Sequence, residues 1–188
     1  MTLLKAFVGA VLIGAIGIFA LSLMSRDSAD SAVAGVNAGR PLLNDVRVRE
    51  QVGLSEIPSL KSEGVRTIIN LRPDGETSGQ PPSSAVEAAA RTEGLSYAYI
   101  PTPRGDIPEA VVTELGRVLA TAEHPVLIYC RSGQRAARSW ALAEASRSGG
   151  ASAGDIASVV QKAGHSVDDL TAQIASRISA RTKTAKAD

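Results

Sequence analysis

The chain has 188 residues, of which 44% are hydrophobic, 21% are charged and 3% are aromatic, with a formal net charge of +1 at pH 7. These values are typical of a globular protein with one aliphatic core, and the near-neutral charge gives no reason to expect a nucleic-acid partner. The single cysteine excludes an intramolecular disulfide, and no Cys/His cluster has zinc spacing, so neither a metal nor a cofactor is predicted.

An apolar segment lies near the amino terminus. Residues 6–21 are all apolar or glycine, and with the next three residues the segment is long enough to cross a hydrocarbon core as a helix. It is longer than the hydrophobic region of a usual signal peptide. We therefore predict a transmembrane anchor over residues 1–25, with a cleaved signal peptide as the alternative.

The predicted anchor implies a single-pass protein of a bacterial-type inner membrane. The short tail before the segment favours a domain on the periplasmic side, whereas Arg26 and the arginines after it favour the opposite orientation. Residues 26–39 are rich in small and polar residues without hydrophobic periodicity, which predicts a flexible linker. The folded domain is expected to begin at Arg40.

Three short elements are predicted at the start of the domain. Val46 and Val48 alternate with arginines, which predicts a short strand at the edge of a sheet. Residues 55–61 are predicted to form a helix capped by Ser55. Residues 65–71 are rich in β-branched side chains, which indicates a largely buried strand.

Helices and strands alternate over the rest of the chain. We predict a turn at 72–75, a helix at 83–94, a strand at 95–100, a loop at 101–108, a helix at 109–122, a strand at 126–129, and helices at 154–162 and 167–178. This order predicts an α/β fold of three layers with a mostly parallel central sheet and a ligand site at the carboxyl ends of its strands. The predicted organisation is a catalytic domain at 40–150, a helical hairpin packed on it at 151–180 and a polar tail at 181–188.

The only cysteine, Cys130, lies between the strand at 126–129 and a helix-forming run. A loop that ends at a helix amino terminus can bind an oxyanion with its N–H groups and lower the pKa of a thiol beneath it. Arg135 adds donors suited to bidentate oxyanion binding. The alternative is a buried structural cysteine. The predicted substrate-binding residues of this loop are Arg131, Ser132, Gly133 and Gln134.

Two other loops end at the same edge of the predicted sheet. Residues 72–76 follow one strand, and residues 104–106 follow the next, so three loops are expected to meet in one pocket. Arg72 is predicted to steer anions into that pocket or to pair with Glu76. The side chain of Arg131 is expected to diverge from the pocket if Arg135 enters it.

Three motifs carry a resemblance to a known family. They are Asn70-Leu71-Arg72-Pro73-Asp74-Gly75-Glu76, then Gly79-Gln80-Pro81, and Tyr129-Cys130-Arg131-Ser132-Gly133 with Trp140-Ala141-Leu142 behind it. The chain from Ile69 to about Leu170 resembles the phosphatase-like domain of beta-lactamase hydrolase-like proteins, related to dual-specificity phosphatases and akin to rhodaneses. The resemblance implies hydrolysis of a phosphorylated protein or a small phosphoester, with Cys130 as nucleophile and with Arg135 and loop amides on the phosphoryl oxygens.

Two departures leave other functions open. Protein tyrosine phosphatases place five residues between cysteine and arginine, but that position holds Ala136, and Arg135 comes one residue early, as in rhodaneses. Ala136 also stands where those phosphatases carry a hydroxyl group after the arginine. The alternatives are a sulfurtransferase with a persulfide on Cys130 and a catalytically inactive module that binds anionic or phosphorylated ligands.

The general acid of a phosphatase would be an aspartate. Asp106 precedes the helix that leads to the strand of Cys130, which is where dual-specificity phosphatases place theirs, and its alternative role is to cap that helix. Asp74 is a turn residue by its sequence context and a second candidate for the acid. Both are predicted catalytic residues.

Overall fold

The computed structural model describes residues 38–184. The predicted anchor at 1–25 and nearly all of the predicted linker lie outside these residues. Among residues 38–184, no helix has the length and apolar character needed to cross a membrane.

A five-stranded sheet forms the centre of the domain. Its strands are β1 (Arg40–Pro41), β2 (Val46–Arg49), β3 (Thr67–Asn70), β4 (Ser96–Tyr99) and β5 (Val126–Tyr129). They lie in the order β1-β2-β5-β3-β4, and every neighbouring pair is parallel except β1 and β2. The predicted α/β class with a mostly parallel sheet is confirmed.

β5 occupies the middle of the sheet because it is apolar throughout. All four of its residues are buried, as expected for a parallel strand covered on both faces. Tyr129, its last residue, lies opposite Arg49 of β2 and Asn70 of β3. The carboxyl ends of three adjacent strands therefore meet at one edge, directly before Cys130.

Helices cover both faces of the sheet. They are α1 (Ile57–Ser62), α2 (Ser83–Thr92), α3 (Glu109–Thr121), α4 (Gln134–Ser146), α5 (Ala153–Lys162) and α6 (Thr171–Thr184), with 3-10 turns at Leu54–Glu56 and Asp168–Leu170. One core, which includes Trp140 and Leu115, packs α3 to α6 on one face. A smaller core around Ile57 and Val86 packs α1 and α2 on the other.

The prediction that Val46 and Val48 form an edge strand is wrong. β1 pairs antiparallel with β2 and takes the edge position, which leaves β2 inside the sheet. Arg49 is buried, and its Nη2 donates to Glu56 Oε1 at 2.7 Å, so a carboxylate compensates its charge. An arginine in a strand therefore need not face solvent when a carboxylate pairs with it.

Two helix boundaries also differ from the prediction. Ser55 lies within the 3-10 turn and does not cap the helix at 57–62, whose N-cap residue is Glu56. The Glu56 carboxylate accepts a hydrogen bond from Gly53 N at 2.6 Å and so caps the 3-10 turn. α6 continues to Thr184, so residues 181–184 of the predicted polar tail are helical. Arg181 holds this end in place by donating hydrogen bonds to four backbone carbonyls, those of Glu144, Arg147, Gly150 and Ala151.

Candidate active site

Cys130 leaves the end of β5 and is only 1% exposed. The chain then passes through residues 131–133 and enters α4 at Gln134, with Gly133 as its N-cap at φ +85°. That left-handed conformation favours glycine, which has no Cβ to clash with the backbone. We call residues 130–133 the Cys130 loop. The predicted order of strand, loop and helix is present.

The amino end of α4 gives the Cys130 loop its electrostatic character. The first backbone bond of the helix runs from Ala137 N to Gly133 O at 2.9 Å, so the N–H groups of the first turn have no acceptor within the helix. The helix dipole adds a partial positive charge at the same place. An oxyanion beside the thiol would meet aligned donors and favourable charge.

The extension of β2 supports the loop from one side. Glu50 forms an isolated bridge with Ser132, and Gln51 N donates to Arg131 O at 3.4 Å. The side chains of Arg131 and Ser132 are exposed. Their predicted roles in substrate binding therefore stay predictions, and both residues contact residues 50 and 51 through the backbone.

The side chain of Gln134 binds the C-terminal hairpin. Its Nε2 donates to Ser166 O at 2.5 Å, and its Oε1 accepts from Ser166 N at 3.3 Å. The side chain is thus occupied by the C-terminal hairpin. Any contribution of Gln134 to substrate binding would come from its backbone N–H.

Arg135 is held by three hydrogen bonds that its guanidinium donates. Nη1 donates to Thr102 O at 2.7 Å and to Leu71 O at 3.4 Å, and Nη2 donates to Glu76 Oε1 at 2.6 Å. A guanidinium carries five N–H donors. Within the described chain, these contacts leave Nε–H and one Nη2 hydrogen, which is a pair of donors suited to two oxygens of one oxyanion.

Glu76 is the anion that fixes this arginine. Its carboxylate also accepts from Arg72 Nε at 3.1 Å and from Arg104 Nε at 3.5 Å, and its side chain is 10% exposed. Burial opposes ionisation, but the hydrogen bonds from Arg135 and Arg72 outweigh it and hold the pKa of Glu76 below its usual value. Sequence reasoning treated Glu76 only as a partner of Arg72 and missed its contact with Arg135.

Arg72 is the most buried of the three arginines that pair with Glu76. Its Nη1 donates to Gln51 Oε1 at 2.6 Å, and its Nη2 donates to Thr77 Oγ1 at 2.8 Å. Of the two roles weighed for Arg72, pairing with Glu76 is the one that the structure shows. Its role in substrate binding stays a prediction.

The two candidate acids have different surroundings. Asp74 accepts hydrogen bonds from Ser83 N at 2.8 Å and Ser83 Oγ at 2.6 Å, so its carboxylate anchors the start of α2. Asp106 is exposed in the loop before α3 and makes no capping bond to that helix. In the described part of the chain its carboxylate has no hydrogen-bond partner, which leaves it available to a ligand.

The fold and the site define a class. A central parallel strand delivers a cysteine to a loop at a helix amino terminus, and an anchored arginine follows in that helix, in an α/β domain with a phosphatase-like fold. A candidate phosphatase from Neisseria meningitidis has the same fold, with a TM-score of 0.64 and 25% identity, over 73% of this chain and 96% of that one. TpbA of Pseudomonas aeruginosa, solved with phosphotyrosine, matches with a TM-score of 0.50 and 17% identity over 72% of this chain and 85% of that one.

Residues 39–147, more than half of the chain, match the family described as beta-lactamase hydrolase-like protein, phosphatase-like domain. The chain belongs to this family. A beta-lactamase hydrolase-like protein of Xylella fastidiosa is 44% identical over 94 residues, which are 50% of this chain. The chain covers 22% of the length of that relative. The resemblance to the phosphatase-like domain of beta-lactamase hydrolase-like proteins, predicted from the sequence motifs, is therefore confirmed.

Proposed function

We propose that this domain hydrolyses phosphoesters through a phosphocysteine intermediate on Cys130. The observation that carries the proposal is Arg135, which lies two residues after the Cys130 loop and whose bonds to Glu76 and two carbonyls leave two donors without a partner in the described chain. Such an arrangement suits the equatorial oxygens of a transferring phosphoryl group. Preorganised donors of this kind need no rearrangement as charge develops.

In the first step, the Cys130 thiolate attacks phosphorus and forms an S–P bond while the P–O bond to the leaving group breaks. Asp106 gives its proton to the departing oxygen, which leaves as an alcohol. In the second step, water attacks phosphorus, the S–P bond breaks, and the electron pair returns to Cys130 as a thiolate. Asp106 accepts the proton of that water, so inorganic phosphate leaves and the enzyme regains its starting state.

The proposed substrate class is a phosphorylated protein or a small phosphoester. The Pseudomonas aeruginosa neighbour was solved with phosphotyrosine, which supports a phosphoryl group as the ligand of this fold. We also propose that residues 1–25 anchor the domain at an inner membrane, with the domain on the periplasmic side. The apolar run at residues 6–21 supports this assignment.

One observation favours a second candidate. Only four residues separate Cys130 from Arg135, and the next position is Ala136, which is fully buried. The shorter loop suits a sulfurtransferase that carries sulfane sulfur on Cys130, and sulfur transfer from thiosulfate requires no leaving-group acid.

Turnover assays separate the two candidates. The purified full-length chain in detergent is tested with phenyl phosphate, with p-nitrophenyl phosphate, and with thiosulfate plus cyanide. We expect release of phosphate and loss of that activity in Cys130→Ser. Turnover of thiosulfate with no turnover of phosphoesters would instead support the sulfurtransferase. Binding of phosphate without either turnover would support a module that only binds anions.

A further inference from the structure

The C-terminal hairpin contacts the Cys130 loop from outside. Its helices α5 and α6 lie beyond residues 39–147, which match the family. The connection between them contains Gly164, His165 and Ser166. Because this segment lies outside the match, the family assignment says nothing about a role for it at the site.

His165 packs directly against Gly133. A Cβ placed on Gly133 would lie 2.7 Å from Nε2 and 2.8 Å from Cε1 of His165, and 3.4 Å from the carbonyl carbon of Arg49. Both ring distances are shorter than a carbon atom tolerates. Gly133 is thus confined between the imidazole ring and the end of β2, at the residue where the loop becomes α4.

Neighbouring contacts fix the ring at this position. Gln134 and Ser166 exchange two hydrogen bonds, at 2.5 and 3.3 Å. One turn further along α4, Arg138 Nη2 pairs with Asp169 at 2.5 Å, and its Nη1 donates to Gly105 O at 3.4 Å. The hairpin therefore contacts the first turns of α4 and reaches, through Arg138, the loop that carries Asp106.

We propose that His165 is a positioning residue of the active site, which holds Gly133 so that the N–H groups at the start of α4 point at the bound oxyanion. The proposal rests on the proposed function in so far as the ligand is a phosphoryl group or phosphate. A donor set of backbone N–H groups works only while the backbone keeps its conformation. Gly133 is the residue of that backbone with the greatest conformational freedom, so a side chain that confines it has a direct effect on the site.

The pKa of His165 depends on burial and on the charges around its ring, so it should respond to a bound anion. Burial lowers the pKa of His165 and Arg40 lowers it further, whereas Glu50 acts in the opposite direction. An oxyanion bound by the N–H groups at the start of α4 would add negative charge near the ring. Binding should therefore raise the pKa of His165, and protonation of His165 should strengthen anion binding by the same factor.

A histidine titration tests this contact without any catalysis. The chain has two histidines, so the imidazole spectrum of the full-length protein contains two titrations, which His124→Gln assigns. We expect the midpoint of His165 below its ordinary value of about 6.5, and we expect it to rise when inorganic phosphate is added. His124, an exposed residue at the opposite end of β5, should not respond. A His165 midpoint that stays unchanged in phosphate would overturn the proposal.

Kinetics then test the positioning role. His165→Ala should lower kcat with p-nitrophenyl phosphate about 10- to 100-fold, the scale expected when a reacting geometry shifts by about 1 Å. His165→Gln keeps a planar polar group and should recover part of that loss while removing the His165 inflection from the pH profile. His124→Ala is the matched control and should leave both kcat and the pH profile unchanged.

The two proposals fail in different ways. Full kcat and an unchanged pH profile in His165→Ala and His165→Gln would refute the role of His165 and leave the phosphatase intact. Absence of phosphoester turnover, together with a His165 midpoint that rises in phosphate, would refute the phosphatase and leave the contact with the anion site intact. Thermal midpoints of all variants show whether a lost activity reflects unfolding, and the glutamine variant decides the case if the alanine variant unfolds.

Discussion

Replacing Glu76 by glutamine would test how Arg135 is held in the active site. The substitution keeps the size of the side chain and one oxygen acceptor but removes the charge that faces Arg72, Arg104 and Arg135. Three guanidinium groups would then surround a neutral amide. The Glu76 side chain is 10% exposed, so we take the range of a hydrogen bond to a charged group and expect a loss of about 1.5–3 kcal/mol in the free energy of unfolding.

That loss has two measurable consequences. For a domain of this size, about 1 kcal/mol shifts the thermal midpoint by roughly 2–4 °C, so Glu76→Gln should melt about 3–12 °C lower. With the charge of its anchor removed, Arg135 should be less precisely aligned with the phosphoryl oxygens. The kcat for p-nitrophenyl phosphate should fall about 10²-fold, the value typical of one lost oxyanion donor.

Glu114→Gln is the matched control for this variant. Glu114 also pairs with an arginine, Arg117 at 2.6 Å, but both side chains are exposed on α3. Its replacement should change neither the thermal midpoint nor kcat measurably. If Glu76→Gln melts lower but keeps the kcat of the wild type, Arg135 does not depend on Glu76 for its alignment, and the reasoning about the site is wrong.

Two other predictions concern the acid and the membrane. Asp106→Asn should slow hydrolysis of phenyl phosphate by about 10²–10⁴-fold and that of p-nitrophenyl phosphate much less, because the better leaving group departs without a proton. Equal losses for both esters, or none, would exclude Asp106 as the acid and make Asp74→Asn the next variant to measure. The full-length chain should stay with membranes after a carbonate wash and be released by detergent. A mature chain that begins near residue 35 and is released without detergent would show that the apolar segment is a cleaved signal peptide.

Local pattern was sufficient to predict the elements nearest the site. The prediction of a strand at 126–129 matches β5, because four apolar residues stand between Pro125 and the Cys130 loop. The loop itself was predictable because Gly133 follows the cysteine after two residues and helix-forming residues come directly after that glycine. The order of the remaining strands and helices led to the mostly parallel sheet in the same way.

Contacts between distant residues were not predictable from local pattern. Glu76 reaches Arg135 across 59 positions of sequence, and Gln134 meets Ser166 across 32. The position of β2 inside the sheet depended on β1, which is only two residues long. His165 was missed for the same reason, since its neighbour Gly133 lies on another element and gives no sign in the sequence of what confines it.

The central claim is that Cys130 forms a covalent phosphoryl intermediate, and rapid quenching followed by peptide mass spectrometry tests it most directly. The full-length chain is mixed with p-nitrophenyl phosphate, stopped within the first turnover and digested. We expect the mass of one phosphoryl group on the peptide that contains Cys130, and none on the corresponding peptide of Cys130→Ser. Release of phosphate at full rate by the Cys130→Ser variant, or a Cys130 that carries only sulfur after exposure to thiosulfate and stays unmodified by every phosphoester, would contradict the account.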